Sequence, residues 1–196
     1  MLPTDIFFAD VEQVMAGATD ADRPRLRQLV EELAHIAERV PRVADRCYVY
    51  QARLYARLQE YEQALTALDQ ARQLAPLDAE LTILRGDIHR QMQEYSQALQ
   101  DYTRVLEAHP EAVTARIHRA EMLHATGHLE QALQDILEAL RHEPRSLRLL
   151  YRRGLILADL RRPREASADF RMVAQLSPEA ELKKKAAERL RELGER

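Results

Sequence analysis

Cysteine, lysine, glycine and tryptophan are scarce or missing in these 196 residues, and each scarcity removes something. Cys47 is the only cysteine, so no disulfide forms within the chain and a reducing compartment is the simplest expectation. Five glycines leave no Gly-rich phosphate loop and no G-x-S-x-G nucleophile elbow. The three lysines stand together at Lys183, Lys184 and Lys185, so 26 of the 29 basic residues are arginine. That usage, with abundant alanine, fits a GC-rich bacterial genome. Long apolar runs are missing as well: none approaches the ~18 residues that a membrane-spanning helix needs. The first residues, MLPTDIFFADVEQVMAGA, have no basic region, and Asp5, Asp10 and Glu12 break their apolar character. They do not read as a secretory signal, so the expected location is cytoplasmic. A net charge of −3 argues against binding driven by phosphate neutralisation, so no nucleic-acid partner is expected.

What remains is rich in Ala, Leu, Glu, Gln and Arg, with 46% hydrophobic and 31% charged residues, which favours a soluble all-α fold. The chain also repeats itself. EYEQALTALDQARQLAP at 60–76 is echoed at 94–110, at 128–144 and, more faintly, at 162–178, always 34 residues apart. Pro76, Pro110, Pro144 and Pro178 close the copies, because proline cannot continue a helix interior. Small residues recur at two places in each copy: Ala52, Gly86, Ala120 and Gly154, then Ala64, Ala98, Ala132 and Ala166. Large apolar residues recur at Leu68, Tyr102, Ile136 and Phe170. Ala98, Leu99, Tyr102, Val105 and Leu106 form one helical stripe. Each copy therefore predicts a helical hairpin, helix A near positions 2–14 and helix B near 18–30, the two crossing closely at the small residues. Asp78 and Ser146 are candidate N-caps.

These features resemble the tetratricopeptide repeat family: a 34-residue period with Gly/Ala, Ala, large apolar and Pro at fixed positions. The resemblance covers 45–180. It implies an all-α, right-handed solenoid of helix–turn–helix hairpins, with units at 45–78, 79–112, 113–146 and 147–180. Residues 1–44 read as a degenerate hairpin capping one end, with helices near 4–16 and 23–40, Asp22 as cap and Pro24 in the first turn. Residues 181–196 read as a capping helix stopped at Gly194. The copies depart from the family at helix A. Position 7, normally apolar, holds Gln51, Arg85, Arg119 and Arg153, and the turn glycine survives only as Gly127, with Gln59, Gln93 and Arg161 elsewhere.

No catalytic constellation is present, and no cofactor or metal is expected. Cys47 lies within a predicted helix with no helix N-terminus or nearby histidine to activate it, so a buried inert thiol is expected. His118, Glu121 and His124 do not share one helical face. The His124–His128 pair and the lysine run read as exposed surface. The resemblance instead implies a non-enzymatic protein–protein interaction module, an adaptor, scaffold or assembly or secretion chaperone. Its ligand, a peptide or helix of another protein with acidic groups, would lie in a concave groove lined by the A helices. Carried onto this sequence, that groove comprises Arg53, Arg57, Ile83, Asp87, Arg90, Ile117, His118, Glu121, Arg148, Tyr151 and Arg152. A clamp for carboxylate-terminated chaperone tails is not implied, since Ile83, Asp87 and His118 stand where it needs Lys or Asn. The groove arginines have an alternative use, pairing with acids of neighbouring repeats. The alternative function is self-assembly, as a homo-oligomer, through the array ends or the cluster Ile6, Phe7 and Phe8.

Overall fold

The apolar stripes are narrow and the strong helix formers dense, so the chain has one economical way to satisfy its backbone: short helices that bury one side each. In the computed structural model, which describes residues 3–17, 19–75 and 78–194, every regular element is a helix. They are α1 (Pro3–Gly17), α2 (Arg23–Arg39), α3 (Ala44–Arg57), α4 (Tyr61–Leu74), α5 (Ala79–Gln91), α6 (Tyr95–Ala108), α7 (Val113–Ala125), α8 (Leu129–His142), α9 (Leu147–Asp159), α10 (Pro163–Leu176) and α11 (Ala180–Glu192). Short 3-10 turns at Asp20–Asp22 and Pro41–Val43 precede α2 and α3. The helices start and stop within a residue or two of the predicted spans. Helices α6, α8 and α10 end two residues before Pro110, Pro144 and Pro178; Pro76 lies outside the described residues.

The chain divides into two compact units, 1–94 and 95–196, separated at the turn between α5 and α6. In the first, Phe8, Val11, Leu26, Leu29, Leu33, Cys47 and Leu54 form one core cluster and Ala52, Ala64, Leu68, Ala71 and Ile88 another. In the second, Ala120, Ala132, Ile136, Ala166, Phe170 and Val173 are all inaccessible to solvent. The recurring alanines are close-approach points, as the spacing predicts. Gly154 shows why size matters there. A methyl group on its Cα would lie 2.6 Å from the Phe170 ring, which the close-packed hairpin cannot accommodate unmoved.

The turn position is left-handed in every hairpin, glycine or not. Gln59, Gln93 and Arg161 have φ of 64°, 63° and 59°, beside 80° at Gly127. Each turn closes through two backbone bonds back onto helix A. In the first hairpin Glu60 N donates to Tyr55 O and Gln59 N to Ala56 O; in the fourth Arg162 N donates to Leu157 O and Arg161 N to Ala158 O. This is the Schellman closure, whose αL residue glycine adopts without steric cost. The missing glycines therefore raise the cost of the turn without changing it.

The arginines at position 7, where the copies depart from the family, have a structural use. Arg119 forks onto Asp135 at 2.7 and 2.8 Å, and Arg153 onto Asp169 at 2.8 and 2.6 Å, both carboxylates being buried. Each pair ties helix A to helix B of its own hairpin, and the hydrogen bonds to the carboxylate hold each guanidinium pKa above its usual value. In the first hairpin Gln51 stands at that position and ties α3 to the preceding helix instead, donating to Val30 O of α2 at 3.0 Å. Two caps also differ from expectation. Asp78 accepts from Glu80 N at 2.7 Å, as a cap should. Ser146 makes no side-chain cap, and its own N–H donates to Glu143 O. Asp22 caps nothing in α2, because Thr19 holds its carboxylate through its N–H and hydroxyl, lowering its pKa.

Candidate functional site

Residues 148, 151, 152 and 155 fall at i, i+3, i+4 and i+7 of α9, one face of a helix. In the second unit that face opens onto a cavity of about 440 Å³ between α7, α9 and α11. Ile136, Leu155, Ile156 and Leu182 give it an apolar floor, and Glu121, His124, Arg148, Arg152, Glu179 and Lys185 a charged rim. Four of the expected groove residues therefore meet here: Glu121, Arg148, Tyr151 and Arg152. The capping helix contributes Leu182 and the exposed Lys185 to the lining.

The rim arginines already have counter-ions. Arg152 Nε donates to Glu121 Oε1 of α7 at 2.6 Å, and Arg148 Nε donates to Glu179 Oε1 at 3.0 Å. The Arg148 side chain is 68% exposed and that of Arg152 36%. Exposed pairs of this kind contribute only ~0–1 kcal/mol, so an incoming carboxylate can exchange for Glu121 or Glu179 at little cost. His124 is not part of an exposed turn. Its Nε2 lies 2.6 Å from Asp159 Oδ2, while His128 sits exposed beside the Thr126 hydroxyl. Ile117 and His118 are half-buried on α7, where the His118 ring meets Tyr102 edge-on, centroids 5.5 Å apart. Among the described residues no three His, Cys, Asp or Glu are gathered as a metal site.

In the first unit α1 packs beside the equivalent face of α3, where Arg46, Val49, Tyr50 and Arg53 line a smaller cavity of about 200 Å³. Phe8 of α1 stacks on Tyr50 with centroids 5.1 Å apart, and the Arg46 guanidinium lies 4.2 Å over the Phe8 ring. Arg46 also pairs with Asp5 at 3.3 Å, and the Tyr50 hydroxyl donates to Glu12. The Ile6–Phe8 cluster is thereby split: Phe8 is 1% exposed, Phe7 half-buried and Ile6 59% exposed. Of the groove residues expected here, Arg53 pairs with Glu80, and Arg90 lies 3.5 Å from Asp87. Ile83 is half-buried and Arg57 exposed. Cys47 is fully buried, and desolvation, with Asp45 second, pushes its thiol up to about 11, so it stays protonated and unreactive at neutral pH.

Sequence spacing carried a signal for the paired arginines that family positions obscured. Arg and Asp stand 16 residues apart in the second, third and fourth copies, while the first has Gln51 and Ala67. No comparable signal marked Glu179 or Leu182, which depend on how α11 turns back onto α9.

A run of hairpins closed by left-handed turns, with a side-chain-lined face on its A helices, is the architecture of a helical repeat protein. A tetratricopeptide repeat family model matches residues 51–93, 83–141 and 125–181, together about two thirds of the chain. The chain belongs to the tetratricopeptide repeat family, whose members are typically non-enzymatic protein–protein interaction modules. No curated protein sequence matches. Among solved structures, the chain is similar to YrrB, described as a TPR protein with an unusual peptide-binding site. The two are 16% identical, with a TM-score of 0.66, over 93% of this chain and 90% of that one. It is also similar to MamA from Desulfovibrio magneticus RS-1, at 17% identity and a TM-score of 0.70, over 88% of this chain and 93% of that one. A tetratricopeptide repeat protein from Parabacteroides merdae is 22% identical with a TM-score of 0.65, over 85% of this chain and 60% of that one. Likeness at these identities establishes the fold alone. Among the described residues, no helix is long and apolar enough to cross a membrane.

Proposed function

We propose that this chain is a cytoplasmic adaptor, scaffold or assembly or secretion chaperone that holds a peptide or helix of a partner protein on its A-helix face. Its working layout is a cap at 1–44, repeats at 45–78, 79–112, 113–146 and 147–180, and a closing helix at 181–196. The observation that carries the reading is the cavity beside α9. It combines an apolar floor, which supplies affinity, with Arg148 and Arg152, which read acidic groups at weakly held positions. Ile117 and His118 extend the face within the second unit, and Arg53, Arg57, Ile83, Asp87 and Arg90 stand on the A helices of the first. The MamA and YrrB likenesses add the fold, and the peptide site named for YrrB makes the same use of this one reasonable. Self-assembly through the N-terminal cluster has less to draw on, because Phe8 is consumed in the core.

The test is capture of a partner by the full chain, compared with Arg148→Glu combined with Arg152→Glu. Recovery should fall at least about tenfold and decline with salt, because charges at the rim are screened. Equal recovery by both proteins would remove the groove.

A further inference from the structure

The arginine–aspartate fork of the third hairpin carries one cation more than the tie needs. In the fourth hairpin Arg153 and Asp169 are matched one to one, and Leu150 stands three residues before the arginine. In the third hairpin Arg116 takes that place before Arg119. The other copies hold Tyr48 and Thr82 there, so the repeat itself does not call for a guanidinium. Asp135 gives both oxygens to Arg119, at 2.7 and 2.8 Å. Arg116 comes within 3.6 Å of the same carboxylate and donates to Pro110 O. Its Nε, shielded from water, finds no hydrogen-bond partner among the described residues.

The two arginine side chains are 15% and 23% exposed and the carboxylate 4%. Two cations held largely away from water around one carboxylate leave a positive surplus, which is costly unless a further anion shares it. The neighbouring acids do not supply that anion. Glu138 is bonded to Arg141 at 2.6 Å, and the exposed Glu107 acts on Arg119 only through space.

The surplus lies in a cavity. About 490 Å³ opens between α6 and α8 over α7, lined by both arginines and by Leu99, Leu123, Gln131 and Gln134. Arg116, Arg119 and Leu123 fall at i, i+3 and i+7 of α7, a different face from Glu121 and His124, which border the cavity beside α9. The volume lies in the range of small-ligand sites. The leucines offer apolar surface, and the carboxamides offer hydrogen-bond donors and acceptors. Guanidinium forks match the geometry of carboxylate and phosphate groups.

We propose that the α6–α7–α8 cavity binds a small anionic ligand, whose carboxylate or phosphate group is the second counter-ion of Arg116 and Arg119. The site is independent of the groove beside α9. The chain thereby carries a small-molecule site apart from its protein-binding face.

The test is thermal melting of the full chain in increasing sodium phosphate and, separately, sodium succinate, each matched in ionic strength by sodium chloride. One or both anions should raise the melting temperature along a saturating curve, because a ligand of the folded state stabilises it by mass action. A response to one anion alone supports the site and assigns its group. Arg116→Leu, which copies the fourth hairpin, should raise the half-saturating concentration at least about tenfold. If that variant does not fold, Arg116→Gln is read in the same way. Arg148→Glu with Arg152→Glu should leave the response intact. No rise with either anion, a rise that chloride reproduces, or one that the Arg116 variants leave unchanged overturns the site. A response lost with Arg148 and Arg152 places the anion in the groove instead, which also overturns it.

Discussion

The first hairpin, α3–α4, and the fourth, α9–α10, share one 34-residue plan and hold themselves together by different means. The first packs Ala52 in the core layer of Leu68 and carries Gln51, which bonds Val30 O of the preceding helix α2 rather than any group of α4. The fourth packs Gly154 against the larger Phe170 and ties its helices with the Arg153–Asp169 fork. Their outer faces differ in the same spirit. Arg46 and Tyr50 bind Asp5 and Glu12 of α1 beside a cavity of about 200 Å³, whereas Arg148 and Arg152 bind Glu179 and Glu121 at the rim of one of about 440 Å³. A repeat thus conserves the volume and contact points of a hairpin while its chemistry drifts.

Breaking the charged tie should have the largest effect. Asp169→Ala leaves Arg153 partly buried without its carboxylate and should cost about 3 kcal/mol, read by equilibrium urea unfolding. The apolar replacement Arg153→Leu with Asp169→Ala should recover most of that loss, because it removes both charges. If the double substitution is as damaging as the single one, the fork is not what joins the helices.

Phe170 and Gly154 should be coupled. Gly154→Ala alone should destabilise by about 1 kcal/mol, the clash outweighing the helix propensity gained. In a Phe170→Leu background, which recreates the Ala52 and Leu68 combination of the first hairpin, the same change should stabilise. A thermal-melt cycle showing additive effects would clear the ring of blame.

The neutral tie should be weaker than the charged one. Gln51→Ala removes a single buried hydrogen bond and should cost about 1 kcal/mol, well short of Asp169→Ala. Equal losses would mean that the neutral α2–α3 bond holds as firmly as the charged α9–α10 fork. The smallest effect is expected where they agree. Gln59→Gly and Arg161→Gly each relieve a left-handed non-glycine turn and should stabilise by about 0.5–1 kcal/mol. A destabilisation at either would mean that its side chain contributes more than the backbone strain it costs.

Much of the hairpin plan was legible from spacing. The alanines at 64, 98, 132 and 166 and the large residues at 68, 102, 136 and 170 are all inaccessible to solvent, because a period that recurs without insertion marks the same contact each time. Caps were less legible. Asp78 behaves as its residue type suggests, but Thr19 claimed Asp22 and Ser146 makes no side-chain cap. Short polar side chains have several nearby donors, and sequence does not rank them. For the candidate site, the positions on α9 could be placed by register, yet their counter-ions, Glu121 and Glu179, lie 31 residues away in either direction.

The sequence by itself determined the helices, their lengths and the points where they cross, since these follow from local propensity and a 34-residue rhythm of volume. Tertiary structure alone decided that α1 would lie on α3 and that α11 would complete a cavity with α7 and α9. Those outcomes depend on which charged or apolar groups meet across the packing. A contact between distant segments has no period to announce it.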